Sequence, residues 1–302
     1  MGIAVPQWIA VPSWSRTFVA ALGVWLVLGA TWAVASPPFS VPDEPSHAVR
    51  AASVAGGQLL GERREVEFEG PPLIRRVEHL VQVPAALAGA DAMPRCFAFA
   101  QGTADCVIPL EEIPGVAEVA TTAGAYQPLF YLLVGTPLQV LSPTEGLYGA
   151  RLLHVVAGAL LLAAAFATAW DLGGRLFVVV VSLAVTPIVG YLLGSINPSG
   201  LEIAAALALW CGALGLVLRA QTRYAAITAA ALITLAWTRP LSPLIAIGIV
   251  GAVMAAAASP SRMRALWRPV LVGVPAVGLI GVVAAVGWLV AAQAGDAFVG
   301  TP

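Results

Sequence analysis

The sequence contains no lysine, little charge of either sign and few reactive side chains. All 15 basic residues are arginine, charged residues make up 10% of the chain, and there are three cysteines and three histidines. A soluble domain of 302 residues needs more charge than this to cover its surface. No basic tract indicates nucleic-acid binding. The exclusive use of arginine fits phosphate recognition, but it fits the codon bias of a GC-rich genome equally well.

The sequence contains long apolar runs instead of long charged segments. Hydrophobic residues make up 59% of the chain, and several runs of 15 or more residues lack a charged side chain. A backbone in lipid must satisfy its own hydrogen bonds, so such runs predict helices. The predicted fold class is all-α, a polytopic transmembrane helix bundle.

The distribution of arginine predicts the topology of that bundle. Residues 127–141 form an apolar run of only about 22 Å, which is shorter than a hydrocarbon core of about 30 Å. If this run is a half-inserted juxtamembrane helix, seven arginines lie inside and two outside; if it crosses, three lie inside and six outside. The positive-inside rule therefore predicts seven spans with a cytoplasmic amino terminus. The predicted spans are residues 17–35, 147–170, 176–196, 201–218, 224–237, 241–258 and 270–292.

This topology divides the chain into five parts. Residues 1–16 are cytoplasmic, 17–35 are an uncleaved first span, 36–146 are an extracytoplasmic loop with juxtamembrane helices, 147–292 are six further spans, and 293–302 are again extracytoplasmic. Cys96 and Cys106 are predicted to form a disulfide, which requires an oxidising compartment. We therefore expect the cytoplasmic (inner) membrane, with the active face outside. The chain ends just beyond the last span, so we expect it to be a piece of a longer protein.

The densest group of reactive side chains begins the extracytoplasmic loop. Asp43 is predicted to cap a helix, and Asp43, His47 and Arg50 then share one helix face. Together they could perform acid–base chemistry and hold a phosphate, although a capped, solvated helix explains the pattern equally well. Glu44 and His47 have a metal-like Glu-x-x-His spacing, but no second pair accompanies them, so no cofactor is expected and a divalent metal is disfavoured.

Two more polar clusters fall at the predicted outer ends of spans. Asn197 and Glu202 flank the start of one span, where an acid either faces a polar cavity or is stabilised by the helix dipole. Arg239 follows a short span, where it either binds a lipid phosphate or extends its side chain to the interface.

Four motifs resemble a family of bacterial membrane proteins called domain of unknown function 2142. They are Pro42-Asp43-Glu44-Pro45-Ser46-His47-Ala48-Val49-Arg50, Gln127-Pro128-Leu129-Phe130-Tyr131, Arg151-Leu152-Leu153 and Asn197-Pro198-Ser199-Gly200-Leu201-Glu202. The plan is also similar to the GT-C superfamily of glycosyltransferases, which includes protein mannosyltransferases and aminoarabinose transferases. Those enzymes carry an acidic motif in the first outer loop and use sugars linked to polyprenyl phosphate.

The resemblance implies an inverting membrane glycosyltransferase. Its acidic motif falls on Asp43 and Glu44, one of which would act as general base, and Arg239, Arg50 or His47 would hold the phosphate. Asn197 stands where the superfamily often has an acid, so a second catalytic acid is not implied. The implied partners are a polyprenyl-phosphate sugar donor, a glycan, lipid or protein acceptor of the cell envelope, and membrane lipid, without nucleic acid.

Two other functions remain open from the sequence. The same outer face could bind or transport lipid-linked glycans without chemistry, or it could belong to an inactive scaffold. Transporters more often carry ionisable groups within their spans, whereas the span interiors here are nearly free of charge. This difference favours the enzyme.

Overall fold

A computed structural model describes residues 13–68, 74–97, 107 and 109–299 of the chain. Most of these residues are helical, and four helices are long and apolar enough to cross a membrane. The helical membrane class predicted from composition is therefore confirmed. The four are α1 (Trp14–Ala35), α4 (Pro143–Ala184), α6 (Pro198–Arg219) and α10 (Pro269–Val299, apolar over Pro269–Ala292).

The remaining helices are shorter, and three of them are apolar. The apolar ones are α3 (Pro128–Val140), α7 (Thr222–Ala236) and α8 (Ser242–Ala257). The other three are α2 (Glu44–Ala55), α5 (Pro187–Leu193) and α9 (Pro260–Leu266). Three strands complete the described part: β1 (Glu62–Phe68), β2 (Ile74–Pro84) and β3 (Val116–Thr121).

The helix α4 is interrupted where two predicted spans meet. Gly173 and Gly174 leave helical geometry, and Gly174 has a φ of 60°, which glycine adopts without a steric penalty. Beyond this point the chain turns back, because Leu193 packs against Gly158 and His154 lies 2.6 Å from the Ser195 carbonyl oxygen. The segment is thus a helical hairpin, and the predicted boundary between residues 170 and 176 falls on its turn.

Antiparallel packing of successive helices gives the bundle two distinct ends. Trp14 bonds to Thr168 at one end of α1, whereas the Ala33 carbonyl accepts from Arg151 at the other. The polar end of the bundle, as we use the term, holds Glu44, Arg151, Asn197, Glu202 and Arg239. The arginine end holds Arg16, Arg175, Arg219, Arg223, Arg262, Arg264 and Arg268.

The helix α3 stays at the polar end over its whole length. Its Gln127 end donates to the carbonyls of Ala236 and Arg239, and its other end donates from Gln139 to the Ala52 carbonyl of α2. A helix that crossed the bundle would bring one of these ends to the arginine end. Both ends of α3 thus lie at the polar end, and the half-inserted position of residues 127–141 relative to the membrane stays a prediction.

The prediction that the fold is all-α is wrong for part of the outer loop. Strands β1, β2 and β3 form an antiparallel sheet in that order, and α2 packs against β2 and β3. Along β2, His79, Val81 and Val83 are buried while Gln82 is exposed, which is the period of two expected of a half-buried strand. Five of the seven residues of β1 are charged, so its sequence gives little signal of a strand.

The interface between α2 and α3 depends on the absence of a side chain at Gly135. A Cβ there would lie 2.1 Å from the Ala51 carbonyl oxygen and 2.9 Å from the Ala55 Cβ. We expect Gly135→Ala to destabilise the protein by about 1–3 kcal/mol through overpacking. A lower melting temperature of the purified variant in detergent would show this effect.

The control for this substitution is Gly248→Ala in α8, because a Cβ at Gly248 would meet nothing within 4 Å. That variant should melt at the wild-type temperature or slightly above it, since alanine is the better helix former. Equal melting temperatures for the two variants would contradict the close packing of α2 on α3.

Candidate functional site

A buried ion pair joins the start of α2 to α4 at the polar end. Arg151 Nε donates to Glu44 Oε1 at 2.7 Å, and Arg151 Nη2 donates to Glu44 Oε2 at 2.6 Å. Both side chains are fully buried. The Glu44 Oε1 atom also accepts from the Ile196 backbone amide at 3.0 Å. Both Glu44 oxygens are therefore occupied, and this carboxylate holds α2, α4 and the chain after α5 together.

The remaining donors of Arg151 bind the chain that leaves α1. Its Nη1 donates to the carbonyls of Ala33 and Ser36, and its Nη2 donates to the Pro37 carbonyl. These carbonyls at the end of a helix lack partners within the helix, so a buried guanidinium satisfies them. Arg151 thus fixes the chain between the end of α1 and the segment that carries Asp43.

Asp43 stands at the N-cap position of α2 but does not cap the helix. Its φ of 64° is left-handed, and its side chain makes no capping hydrogen bond. The predicted capping role is wrong, because this backbone conformation directs the carboxylate away from the first amides of α2. Asp43 is exposed and lines a pocket of about 500 Å³ together with Phe39, Pro42, Ser46 and Thr122.

The predicted partners of Asp43 on α2 face the opposite direction, into the protein. His47 Nδ1 lies 2.9 Å from the Tyr131 hydroxyl, and His47 is only 7% exposed. Burial, aided by the charge of Arg239, lowers the pKa of His47 from its usual 6.5 to about 3. His47 is therefore neutral at physiological pH and positions Tyr131 rather than offering a positive charge.

Arg50 is a buried cation without a counter-charge among the described residues. Its Nη2 donates to the Tyr126 carbonyl at 2.8 Å, and the guanidinium lies 5.7 Å from the Tyr131 ring centre. Its Nε and Nη1 atoms are buried without hydrogen-bond partners. Burial lowers the pKa of Arg50 to about 10, so it remains charged at neutral pH. An uncompensated cation of this kind favours an anion nearby.

The second and third predicted clusters form one network at the polar end. Arg239 Nη1 lies 3.3 Å from Glu202 Oε2 and donates to the Ser199 hydroxyl at 3.1 Å. The other Glu202 oxygen accepts from Ser242 at 2.5 Å. Glu202 lies beyond the first turn of α6, where the helix dipole contributes little. Glu202 thus faces polar partners rather than lipid, which was one of its two predicted environments.

Asn197 connects this network to the loop that carries Asp43. Its Nδ2 donates to the Pro42 carbonyl at 3.3 Å, and its Oδ1 accepts from the Ser199 amide, which caps α6. The Ser199 hydroxyl also accepts a hydrogen bond from Arg239. Three consecutive hydrogen bonds therefore connect Pro42 to Arg239 through Asn197 and Ser199. The three predicted clusters are therefore brought together.

An apolar groove lies between helices of the bundle. It has a volume of about 370 Å³ and is lined by α3, α4, α6 and α7. Its walls include Leu129, Leu133 and Leu160, which are 45%, 45% and 44% exposed, so the groove is open on the surface of the bundle. Trp237 and Thr238, which directly precede Arg239 in the chain, also line it. An apolar groove whose wall is followed in the chain by a cation suits an amphiphile with an anionic head.

The structure also bears on the remaining predicted sites. Among the described residues, no three histidine, cysteine or acidic side chains are close enough to hold a metal, and Glu44 and His47 each have another partner. Cys96 ends a short 3₁₀ helix and is disulfide-bonded, whereas Cys106 lies outside the described residues, so their pairing stays a prediction.

Sequence reasoning missed the residues that hold the site in place. Arg151 was seen only as part of a short motif, and Tyr126 and Ser242 were not singled out. Their partners lie far away in the sequence, so spacing carries no signal for them. The one available signal was the rarity of arginine at the outer ends of the predicted spans, because a charge near lipid needs a partner.

The apolar helices, the buried ion pair and the joined polar network define an integral membrane protein with a polar site at one end of a helix bundle. The family model described as a predicted membrane protein (DUF2142) matches residues 26–301. The chain belongs to this family, which confirms that part of the predicted resemblance. Comparisons with curated proteins and with solved structures give no match, so the likeness to the GT-C superfamily stays a prediction.

Proposed function

We propose that this protein is a membrane glycosyltransferase that moves a sugar from a polyprenyl-phosphate donor to an acceptor of the cell envelope, with inversion. One observation carries the proposal: the apolar groove is lined by the two residues that precede Arg239, and Arg239 lies at the bundle end where the carboxylate of Asp43 is open to solvent. Such an arrangement offers a place for a lipid chain, a cation for its phosphate and a base for an acceptor.

The groove supports binding of the donor lipid. Its lining residues are almost entirely apolar, and its exposed leucines let an isoprenoid chain enter from the bilayer. The phosphate would then lie against Arg239, which shares its charge with Glu202 but keeps donors for a second anion. Arg50, buried nearby without a counter-charge, adds positive potential to the same region.

Asp43 is the carboxylate that suits the role of general base. The acceptor hydroxyl would give its proton to Asp43 while its oxygen bonds to the anomeric carbon of the sugar. The bond from that carbon to the phosphate oxygen breaks, and polyprenyl phosphate leaves with the electron pair. Positive charge at Arg239 and Arg50 stabilises the leaving phosphate. Glu44 is not proposed as the base, because Arg151 and the Ile196 amide occupy its oxygens.

The proposed orientation places the polar end outside the cytoplasmic membrane. Helix directions support seven crossings: α1, the two arms of the α4–α5 hairpin, α6, α7, α8 and α10. The arginine end would then face the cytoplasm, as the positive-inside rule requires. In this topology the amino terminus is inside, residues 36–146 form the outer loop, and the donor is used on the extracytoplasmic side.

Binding of a short-chain polyprenyl phosphate tests the donor site. Trp237 lines the groove, so its fluorescence should change as the lipid binds to the purified protein in detergent. We expect Arg239→Gln to weaken this binding by about tenfold or more, equivalent to at least about 1.4 kcal/mol. The matched control is Arg63→Gln, which removes an arginine from β1 that does not line the groove.

Wild-type affinity in Arg239→Gln would contradict the proposed phosphate site. Binding without any sugar transfer, tested with a panel of polyprenyl-phosphate sugars and envelope acceptors, would instead support the second function, a protein that binds or transports lipid-linked glycans. Turnover alone separates these two functions.

A further inference from the structure

A second candidate binding site lies at the arginine end, far from the polar network. A pocket of about 600 Å³ opens between the α6–α7 turn and the α9–α10 turn. Its lining includes Gln221, Thr222, Arg223, Arg268 and Val270. No acidic side chain is among its lining residues in the described part of the chain. The proposed glycosyltransferase reaction uses none of these residues.

Two helices begin at this pocket and point in the same direction. Leu271 of α10 packs with Tyr224 and Ala225 near the start of α7, and further along Gly278 meets Leu232. The helices α7 and α10 are therefore parallel, and both of their amino termini lie at the pocket. The N-cap residue of α7, Gln221, makes no side-chain capping bond. The start of α7 therefore has no side-chain cap, and the positive ends of both helix dipoles favour an anion at the pocket.

Among the described residues, the arginines around the pocket outnumber the acids. Asp171 is the acid recorded at the arginine end among the described residues, and its carboxylate already accepts from Arg223 and Tyr224, while its backbone carbonyl accepts from Arg219. Arg268, in contrast, is exposed, and its side chain has no ion pair or hydrogen bond within the described residues. Its five donors remain available for a phosphate, which the planar guanidinium binds well.

The surroundings of Arg268 favour a lipid over a soluble anion. Trp267 is 79% exposed and Val270 is 54% exposed, and both adjoin the cation at the start of an apolar helix. Tryptophan and arginine in such positions are typical of the boundary between headgroups and acyl chains. A soluble phosphate would contact only the polar part of this surface.

We propose that this pocket binds the phosphate of an anionic phospholipid at the arginine end of the bundle. Arg268 binds the phosphate with its free donors, Arg223 adds a second cation beside its pair with Asp171, the start of α7 supplies amide donors, and Val270 and Trp267 lie beside the acyl chains. The bound lipid ties the α6–α7 turn to the α9–α10 turn and stabilises the folded protein.

Thermal unfolding of the full chain in a neutral detergent tests this site. The probes are short-chain phosphatidylglycerol, short-chain phosphatidylcholine and inorganic phosphate, each titrated against the melting temperature. A ligand that binds only the folded state raises this temperature. We expect phosphatidylglycerol to raise it with an apparent affinity that Arg268→Ala weakens by about tenfold. Phosphatidylcholine should have little effect in either protein.

Arg264→Ala is the matched control, because Arg264 is an exposed arginine of α9 that does not line the pocket. It should keep the wild-type response to phosphatidylglycerol. An equal loss in both variants would mean diffuse attraction by the whole arginine end and would overturn the site. Equal potency of inorganic phosphate and phosphatidylglycerol would overturn the lipid as the ligand. None of these outcomes depends on sugar transfer, so the glycosyltransferase proposal stands or falls separately.

Discussion

Asp43→Asn should reduce sugar transfer by a factor of about 10²–10⁴, which is the usual contribution of a general base. Asparagine keeps the size of the side chain and tolerates the left-handed backbone found at Asp43, so the loss would reflect the missing base rather than strain. The measurement is transfer from a polyprenyl-phosphate sugar by the purified variant, at saturating donor. Binding of polyprenyl phosphate at Arg239 should stay unchanged.

The control for Asp43→Asn is Glu112→Gln, which neutralises an exposed acid outside the pocket that Asp43 lines. This variant should transfer sugar at the wild-type rate. If Asp43→Asn retains full turnover while Arg239→Gln does not bind the donor, the lipid site is sound but Asp43 is not the base.

The second large effect concerns the buried ion pair. Glu44→Gln should destabilise the protein by about 3–5 kcal/mol, because it leaves the guanidinium of Arg151 buried without a counter-charge. Both side chains are fully buried and the pair has two hydrogen bonds, so solvent cannot compensate for the loss. The measurement is the melting temperature in detergent, which should fall by several degrees or more.

The exposed ion pair between Arg63 and Glu65 supplies the comparison. Its atoms are 2.7 Å apart, but the side chains are 29% and 52% exposed, so Glu65→Gln should cost no more than about 1 kcal/mol. A Glu44→Gln variant as stable as Glu65→Gln would show that the ion pair does not hold α2 in place.

Together these two predictions distinguish the roles of the adjacent carboxylates of Asp43 and Glu44. Loss of activity in Glu44→Gln follows from instability and must be measured per folded molecule. Loss of activity in Asp43→Asn should occur at wild-type stability. From the sequence alone the two acids were equal candidates for the base, since neither spacing nor composition distinguishes them.

Features of the site were predictable from the sequence only where residues close together in the chain determine them. The start of α2 at Glu44 and the polar starts of α6 and α8 followed from proline and polar residues at helix boundaries. The absence of a capping bond from Asp43 was not predictable. Tertiary contacts of the Pro37–Pro42 loop with Arg151 and Asn197 set the backbone conformation of Asp43. The sheet was missed for another reason: five of the seven residues of β1 are charged, so the run has little strand propensity although its partner β2 is the next strand along the chain.

The sequence by itself determined that this protein is a helical membrane protein, because runs so poor in charge can satisfy their backbones in lipid only as helices. It also determined that charged side chains gather at the ends of the bundle rather than within the spans, since charges are costly inside the bilayer. Tertiary structure alone decided that Glu44 pairs with Arg151 and that Asp43 stays open. Those partners lie 107 positions apart, and only packing of α4 against the end of α1 brings them within hydrogen-bonding distance in a site closed to water.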